Sequence, residues 1–312
     1  MLFGVLMVGP VAGQEAEIPL ASFTARVSAA DPEQAWQAVV ELGALDFGGT
    51  SKKKLDTLAG SWRTRFQASD GEEARALLAH ALGALREHGG AAAPELGKAM
   101  ASDPSPAVRM ACTLALVRCG GEGVKASLKH FSTEDLVGAS LACAVVAATR
   151  PSKGLARLEG AAKECNELRG YLLSEPALLA LDALGEGPAD YVVVRKDKLL
   201  QLRVPRGPLN WAGFVPSGAS GFLIFGKMLG ENEPLKEEEF VLPQSLRCSQ
   251  SGRALDVYAD ALGQLVRLPD ELHPALRDGK LATWNDYRVA TERWQRTIKL
   301  LMDVDAKLLP KE

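Results

Sequence analysis

Glycine-containing breaks divide the middle of this sequence into segments of nearly equal length. Gly89, Gly120, Gly154 and Gly187 follow one another at intervals of 31, 34 and 33 residues. An alanine- and leucine-rich segment precedes each of them: LLAHALGAL, MACTLALVR, LACAVVAAT and ALLALDALG. This period holds two short helices, and a helix pair that small cannot bury its own apolar stripe. The sequence therefore predicts a stacked array of helix pairs over residues 31–187, with an ordinary helical bundle as the alternative.

Local signals also favour helices in this region. In DPEQAWQAVVELGAL, Asp31 is suited to an N-cap and Pro32 to the first helical position. Trp36 and the apolar residues after it recur at helical spacing. The segment GEEARALLAHALGALREHGG has the same character and stops at a Gly-Gly pair.

The segment SDPSPAVRMACTLALVRCGG resembles the second half of a HEAT repeat. The matching positions are Asp103, Pro104, Val108, Arg109, Ala111 and Leu114. Asp70 and Arg75 repeat the pattern one residue shorter, whereas the later units lack the arginine. The resemblance implies an α-solenoid over residues 31–187 that presents an extended surface to a partner, and it implies no reaction. It also implies that Asp103 and Arg109 join adjacent repeats.

The chain changes character after Gly187. YVVVRKDKLLQLRVP has two apolar runs around the polar turn at residues 195–198, which predicts a hairpin. A loop rich in Pro and Gly follows, with two short apolar strands, FLIFG and EEFVLP. ALDVYADALGQLVRLP fits either a helix or a hairpin with strands 254–259 and 264–268. We favour the hairpin, because Gly263 lies in its turn.

One long helix is expected over residues 280–308, ending before Pro310. The residues spaced to pack along it are Leu281, Trp284, Tyr287, Trp294, Ile298 and Leu301. We expect residues 188–312 to form a small α+β unit resting on the last repeats, with this helix covering the open end of the array. The predicted fold class is therefore mainly α: a short HEAT-like α-solenoid followed by a small α+β unit with a long C-terminal helix.

The first 13 residues, MLFGVLMVGPVAG, carry no charge. Their apolar run is too short to span a bilayer, and small residues follow Pro10, as at a signal-peptidase site. Residues 1–13 are thus predicted to be a signal peptide, with the mature chain starting near Gln14. The basic residues that open a signal peptide are missing, which a start codon upstream of Met1 would explain. A buried N-terminal helix is the alternative.

The stretch GASGFLIFGKML contains the first seven positions of a phosphate-binding loop, at residues 221–227. Such a loop needs small residues between its glycines and a Ser or Thr after its lysine. Here the intervening residues are bulky, and Met228 takes the place of the hydroxyl. We interpret the stretch as a buried strand that ends in a solvated Lys227.

Other catalytic or ligand-binding patterns are weaker still. Residues 51–54 fit S-x-x-K without its companion motifs, so we interpret Ser51 as a helix N-cap and the lysines as a solvated helix start. The histidines, none with the spacing of metal ligands, are His80, His88, His130 and His273. We place His80 and His88 at a helix edge, where a C-terminal histidine suits the dipole.

Two further sets of side chains are candidates for a catalytic or ligand-binding site. One is an acid/base pair between His273 and a nearby carboxylate, for which the candidates are Asp256, Asp260, Asp270 and Asp286. The other comprises Trp211, Phe214, Phe222 and Phe225, which either anchor a ligand or, as we favour, cap the β unit. The five cysteines, interpreted mainly as small core residues, are Cys112, Cys119, Cys143, Cys165 and Cys248.

The sequence assigns no catalytic, cofactor-binding or metal-binding residue. Its net charge is −3 with acidic and basic residues balanced along the chain, so no nucleic-acid partner is expected. We predict a non-catalytic binding or scaffold protein of the periplasm or secreted space, with a protein partner and no membrane span. The alternative is a hydrolase-type enzyme with its site in residues 190–280 and the solenoid as platform. Convergence of polar residues from the second half in one pocket would favour the enzyme.

Overall fold

A computed structural model describes residues 20–132, 134–153, 155–163, 168–184, 190–195, 198–203, 258 and 261–308. The described chain is mainly helical. Several predictions lie outside the described residues: the signal peptide, the stretch at 221–227, the strands FLIFG and EEFVLP, and the aromatic set of residues 211–225. Asp256, Asp260, Cys165, Cys248 and Pro310 also lie outside them.

The first ten helices run from Leu20 to Ala183. They are α1 (Leu20–Val27), α2 (Pro32–Ala44), α3 (Lys52–Ala68), α4 (Glu72–Ala84), α5 (Ala93–Ser102), α6 (Pro106–Arg118), α7 (Gly121–Lys129), α8 (Leu136–Thr149), α9 (Ala156–Lys163) and α10 (Leu168–Ala183), with a 3₁₀ helix at Arg86–Ala92. Strands β1 (Asp190–Arg195) and β2 (Lys198–Arg203) pair antiparallel, with Asp190 opposite Arg203. A 3₁₀ turn at Leu265–Arg267 precedes α11 (Leu268–Arg277) and α12 (Trp284–Leu308).

The helices form two layers. In one layer α2, α4, α6, α8 and α10 lie side by side in chain order, each in contact with the next. In the other, α3 contacts the 3₁₀ helix, which contacts α5, and α5 contacts α7. Each helix of this second layer also packs on its chain neighbour in the first layer, as α3 does on α4 and α5 on α6. We call the layer of α2, α4, α6, α8 and α10 the inner layer, because α12 lies on it.

Polar side chains cap the N-termini of α2, α6 and α8 in the inner layer. The Asp31 carboxylate accepts from the Glu33 N–H, with Pro32 at the first helical position, which confirms the predicted start of α2. The Ser105 hydroxyl accepts from the Val108 N–H at the start of α6. Such caps satisfy amide groups that have no partner within their own helix.

Glycine lets two inner-layer helices approach closely. A Cβ added to Gly83 of α4 would lie 2.7 Å from the Ala115 Cα of α6, which is closer than real Cβ atoms come to another atom. Leu82 of α4 and Leu114 of α6 are also buried, so close backbone approach and apolar packing occur in the same pair of helices.

Two arginine–aspartate pairs join successive helix pairs. Arg75 of α4 donates from Nε and Nη2 to the two carboxylate oxygens of Asp103, at 3.0 and 3.1 Å. Arg109 of α6 donates from Nη1 to both oxygens of Asp135, at 3.1 and 3.3 Å. Arg75 also donates to the Asp70 carbonyl and Arg109 to the Asp103 carbonyl. Asp103 and Arg109 are therefore structural residues that connect neighbouring helix pairs.

The core is continuous through both layers. Cys112, Cys119 and Cys143 are buried and free, which confirms the prediction that they are core residues. Burial raises the pKa of the Cys119 thiol to about 12 and that of the Cys112 thiol well above its usual value. These thiols are therefore protonated and unreactive at neutral pH.

The prediction of a hairpin over residues 254–268 is wrong at the residues that the structure describes. Tyr258 is helical, residues 261–264 are helical, and the 3₁₀ turn then leads into α11. The buried residues Leu262, Leu265, Val266 and Leu268 follow helical spacing and pack mainly on α8 and α10. A helix interior tolerates Gly263 at a cost of about 1 kcal/mol, and this burial outweighs it.

The long helix α12 starts at Trp284, four residues after the expected start. Its predicted face is confirmed, since the six residues expected to pack are all buried. It does not lie on the last helices alone, however: it contacts α2, α6 and α8. Trp36 of α2 donates from Nε1 to the Leu281 carbonyl at 2.9 Å, and Arg169 of α10 pairs with Asp305 at 3.1 Å. The helix therefore crosses the inner layer from its first helix to its last.

Candidate functional site

A cavity of about 600 Å³ opens between α11 and the inner layer. Its walls combine apolar side chains with charged ones. The lining residues that matter below are Trp36, Val39, Val40, Gly43, His80, Arg86, Val117, Arg118, Pro269, Asp270, His273, Leu276 and Arg277. A cavity of this size is in the range of small-molecule sites.

Arg118 carries the main charge of this cavity. It lies in the last turn of α6, where a cation faces the negative end of the helix dipole. Its guanidinium lies against Gly43, because a Cβ placed there would be 3.5 Å from Nη2. Burial, and then the charge of Arg86, lower the pKa of Arg118. Within the described residues no carboxylate forms an ion pair with it, and no hydrogen bond reaches it.

Arg86 brings a second guanidinium to the same place. Its Nη2 donates to the Gly43 carbonyl at 3.3 Å, so both arginines flank Gly43. The residue directly follows the C-cap of α4 and has a φ of 55°, in the left-handed region that favours glycine. An arginine in this conformation is strained, and strained residues cluster at functional sites.

Trp36 and His80 line the cavity, and the rings of Tyr287 and Trp284 pack against them. The Tyr287 hydroxyl is hydrogen-bonded to His80 Nε2 at 2.7 Å. Trp36 meets the His80 ring edge-on, with centroids 5.3 Å apart, and the Tyr287 ring at 4.6 Å. Trp284 stacks on Tyr287 at 5.1 Å and also contacts Trp36, with centroids 5.4 Å apart. This packing holds Trp36 and His80 in place in the cavity wall, since aromatic pairs in such geometries attract beyond their buried area.

The structure corrects the interpretation of His80 as a helix-edge residue that complements the dipole. His80 lies within α4 and is 3% exposed. Burial, then the charges of Arg118 and His273, lower the pKa of His80 to about 3, so the ring is neutral at pH 7. His88 does lie beyond the helix end, in the 3₁₀ helix.

Of the two acid/base candidates that the structure describes, Asp270 and Asp286, it is Asp270 that lines the cavity together with His273. Both lie on α11, three residues apart, and both line the wall. Asp286 instead caps α12 by accepting from the Thr283 N–H. Burial, and then Arg118, lower the pKa of His273 to about 4, and within the described residues its Nε2 has no hydrogen-bond partner.

At neutral pH the cavity is electropositive. Arg86, Arg118 and Arg277 are charged, both histidines are neutral, and Asp270 is the carboxylate on the wall. Arg277 lies at the exposed rim, where it pairs with Asp278. Such an arrangement can bind an oxyanion, because a guanidinium presents a planar set of donors to carboxylate or phosphate oxygens.

A second groove, of about 400 Å³, lies between α4, α6 and α12. Its charged groups include Glu72, Glu73, Arg288 and Glu292. Glu73 is already engaged, since it accepts from Trp284 Nε1. This groove is therefore mainly a consequence of the packing of α12 on the inner layer.

The S-x-x-K residues are structural. Ser51 immediately precedes α3, at the predicted N-cap position, although its side chain makes no capping hydrogen bond. Lys52, Lys53 and Lys54 are exposed at the start of the helix, as predicted.

No described group of three or more His, Cys, Asp or Glu side chains is arranged to hold a metal ion. The described helices also include none with the length and apolar character required to cross a bilayer.

Comparison of the chain with protein-family models, with curated proteins and with solved structures finds no match.

Sequence reasoning missed the two arginines. Arg118 looks like an ordinary helix-end cation, and Arg86 like a residue of an exposed turn. The one local signal was an arginine at the position after α4 where glycine is preferred, and it became visible only once the helix end was known.

Proposed function

We propose that this chain is a non-catalytic binding protein built on a HEAT-like helical array over residues 31–187. The observation that carries the proposal is the recurring bond pattern of Arg75 with Asp103 and of Arg109 with Asp135. In each case an arginine binds a carbonyl of its own loop and the aspartate of the next loop. Arrays joined in this way use an extended surface to bind a partner.

Within this proposal, residues 188–312 form an α+β unit that serves the array. The β1–β2 hairpin supports its β part, and α11 and α12 form its helical part. The cavity at α11 gives the array a concave, electropositive site. We propose a protein partner for the exposed surface as a whole.

We also propose that the protein acts in the periplasm or secreted space. The uncharged apolar stretch at residues 1–13 supports this. The test is N-terminal sequencing of material recovered from cell fractions. An extracytoplasmic chain beginning near Gln14 is expected, and an intact Met1 in that fraction would contradict the proposal.

A hydrolase remains the second candidate, because Asp270 and His273 line one cavity with Arg118. A pKa of about 4 makes His273 a weak general base at neutral pH, since catalytic bases work best with a pKa near the operating pH. This favours binding over catalysis.

One experiment separates the two candidates. The purified chain is immobilised and incubated with envelope extract, and in parallel it is assayed with chromogenic ester and phosphoester substrates. We expect saturable capture of one protein and no turnover. His273→Gln tests the enzyme, with His130→Gln as the matched control outside the cavity. Turnover that H273Q abolishes and H130Q leaves intact would establish the hydrolase instead.

A further inference from the structure

We propose that the cavity between α11 and the inner layer binds a small amphiphilic anion, with its oxyanion head group on Arg118 and Arg86 and its apolar body along the cavity wall. This inference goes beyond the proposed function, because it concerns a small molecule held within the chain. It does not depend on whether a protein partner exists.

The first step of the argument is the incomplete bonding of Arg118. Burying a cation is costly unless an anion and hydrogen bonds compensate it. Two other arginines of the inner layer, half-buried Arg75 and buried Arg109, meet this requirement because they have aspartate partners. In the described part of the chain Arg118 has none, although it is half-buried in the cavity wall. A ligand oxyanion would supply the missing partner.

The second step is the convergence of Arg86 on the same point. Both guanidiniums flank Gly43, one by a hydrogen bond to its carbonyl and one by contact with the face where a larger residue would project. Two like charges this close repel each other, and an anion between them removes the repulsion. The left-handed backbone of Arg86 fits the same account, since a functional requirement explains why glycine is not used there.

The third step is the composition of the remaining wall. Its apolar part consists of Trp36, Val39, Val40, Val117, Pro269 and Leu276. A free inorganic ion would leave this surface and most of the volume of about 600 Å³ unused. Ligand sites of this size are mainly apolar with a few fixed polar groups, which matches an alkyl or aromatic body with one anionic end.

The test is isothermal titration calorimetry of the full chain at pH 7.5, at ligand concentrations below micelle formation. The probes are octanoate and octyl phosphate, which share the body but differ in the head group, with 1-octanol and inorganic phosphate as controls. We expect one site per chain for at least one octyl anion. 1-Octanol, which lacks the charge, should bind at least about tenfold more weakly, the effect of losing one charge-assisted hydrogen bond. Inorganic phosphate, which lacks the apolar body, should also bind at least about tenfold more weakly, because it buries no alkyl surface. Preference for one octyl anion identifies the head group.

Three variants connect binding to the residues. Arg118→Met and Arg86→Gly should each weaken the octyl anion by about tenfold or more, whereas Arg296→Met should bind as wild type. Arg296 is an exposed arginine of α12, paired with Glu292 and distant from the cavity wall. R118M and R86G should also keep or raise the melting temperature of the ligand-free chain. R118M removes a half-buried charge that has no ion-pair partner among the described residues, and R86G relieves a strained backbone.

Each of five outcomes would overturn the proposal. The first is that neither octyl anion binds although the helical circular dichroism of the chain is intact, and the second is that 1-octanol binds as tightly as both anions. The third is that R118M retains full affinity, and the fourth is that R118M lowers the melting temperature, as the loss of a structural arginine would. Equal binding of inorganic phosphate and octyl phosphate would overturn the amphiphile as the ligand.

Discussion

The Tyr287 hydroxyl and His80 Nε2 form a 2.7 Å hydrogen bond that joins α12 to α4 across 207 residues of sequence. Both side chains are buried. The bond therefore makes α12 part of the same core as the inner-layer helices.

Tyr287→Phe should destabilise the protein by about 1–3 kcal/mol, because it leaves a buried His80 nitrogen without its partner. Tyr258→Phe is the matched control: Tyr258 is buried too, but its hydroxyl has no hydrogen-bond partner within the described residues. Urea unfolding at pH 7.5 should therefore show a clear loss for Y287F and little change for Y258F. Equal losses would mean that the His80 bond contributes nothing specific.

Stability should fall as the pH is lowered from about 6.5 towards 4. His80 and His273 have folded-state pKa values of about 3 and about 4, below the ordinary value of 6.5. The unfolded chain therefore takes up protons first, so the stability present above pH 6.5 is lost through this window. The slope is at most about 1.4 kcal/mol per pH unit for each histidine. Urea midpoints at pH 7.5 and 5.5 measure it, and H80Q/H273Q should show a much weaker dependence.

Breaking the Arg109–Asp135 pair between neighbouring helix pairs should cost far more than breaking a surface pair. Arg109→Met leaves the Asp135 carboxylate partly buried without its cation, and a loss of roughly 3 kcal/mol is expected. Lys299→Met removes the exposed Lys299–Asp303 pair of α12 and should cost less than about 1 kcal/mol. Chemical denaturation of both variants tests this, and similar losses would remove the structural basis for a joined array.

Leu114→Ala should destabilise the chain by about 2–5 kcal/mol, since Leu114 is 1% exposed in the core. Leu300→Ala makes the same chemical change on α12, where the side chain is 62% exposed, and should stay within about 0.5 kcal/mol. A loss below that threshold for L114A would contradict the packing register of α6.

Deleting residues 280–312 should lower the thermal midpoint of the helical signal at 222 nm, because α12 covers part of α2, α6 and α8. A chain lacking only residues 309–312 serves as the control and should keep the wild-type midpoint. An unchanged midpoint after the larger deletion would show that the array does not depend on α12.

Local features of the fold were readable from the sequence because their causes are local. The start of α2 follows from Asp31 and Pro32, and the buried face of α12 follows from the spacing of Trp284, Tyr287 and Trp294. The segment at 261–268 failed because a short apolar run with a glycine fits two periods. Its burial against α8 and α10, which decides between them, is a tertiary contact.

The candidate site could not be predicted from local sequence, because it too depends on tertiary contacts. Nothing near Arg118 in sequence shows whether a carboxylate will meet it, since Arg75 and Arg109 find aspartates 28 and 26 residues away. Likewise, no spacing rule indicates that Trp36 will bind the Leu281 carbonyl. Ion pairs and hydrogen bonds between residues so far apart in sequence can be identified only from the assembled layers.

The crossing of α12 has a consequence for biosynthesis. A stack whose units touch only their neighbours can fold as it is made, one unit after another. Here the hydrogen bond of Trp36 cannot form until Leu281, 245 residues later, has been synthesised. At 5–20 residues per second this takes roughly 12–50 s of translation. During that interval the surface that α12 will cover is open on the nascent chain. Slow elongation or a stalled ribosome should therefore make this protein depend on chaperones in a way that its finished fold does not.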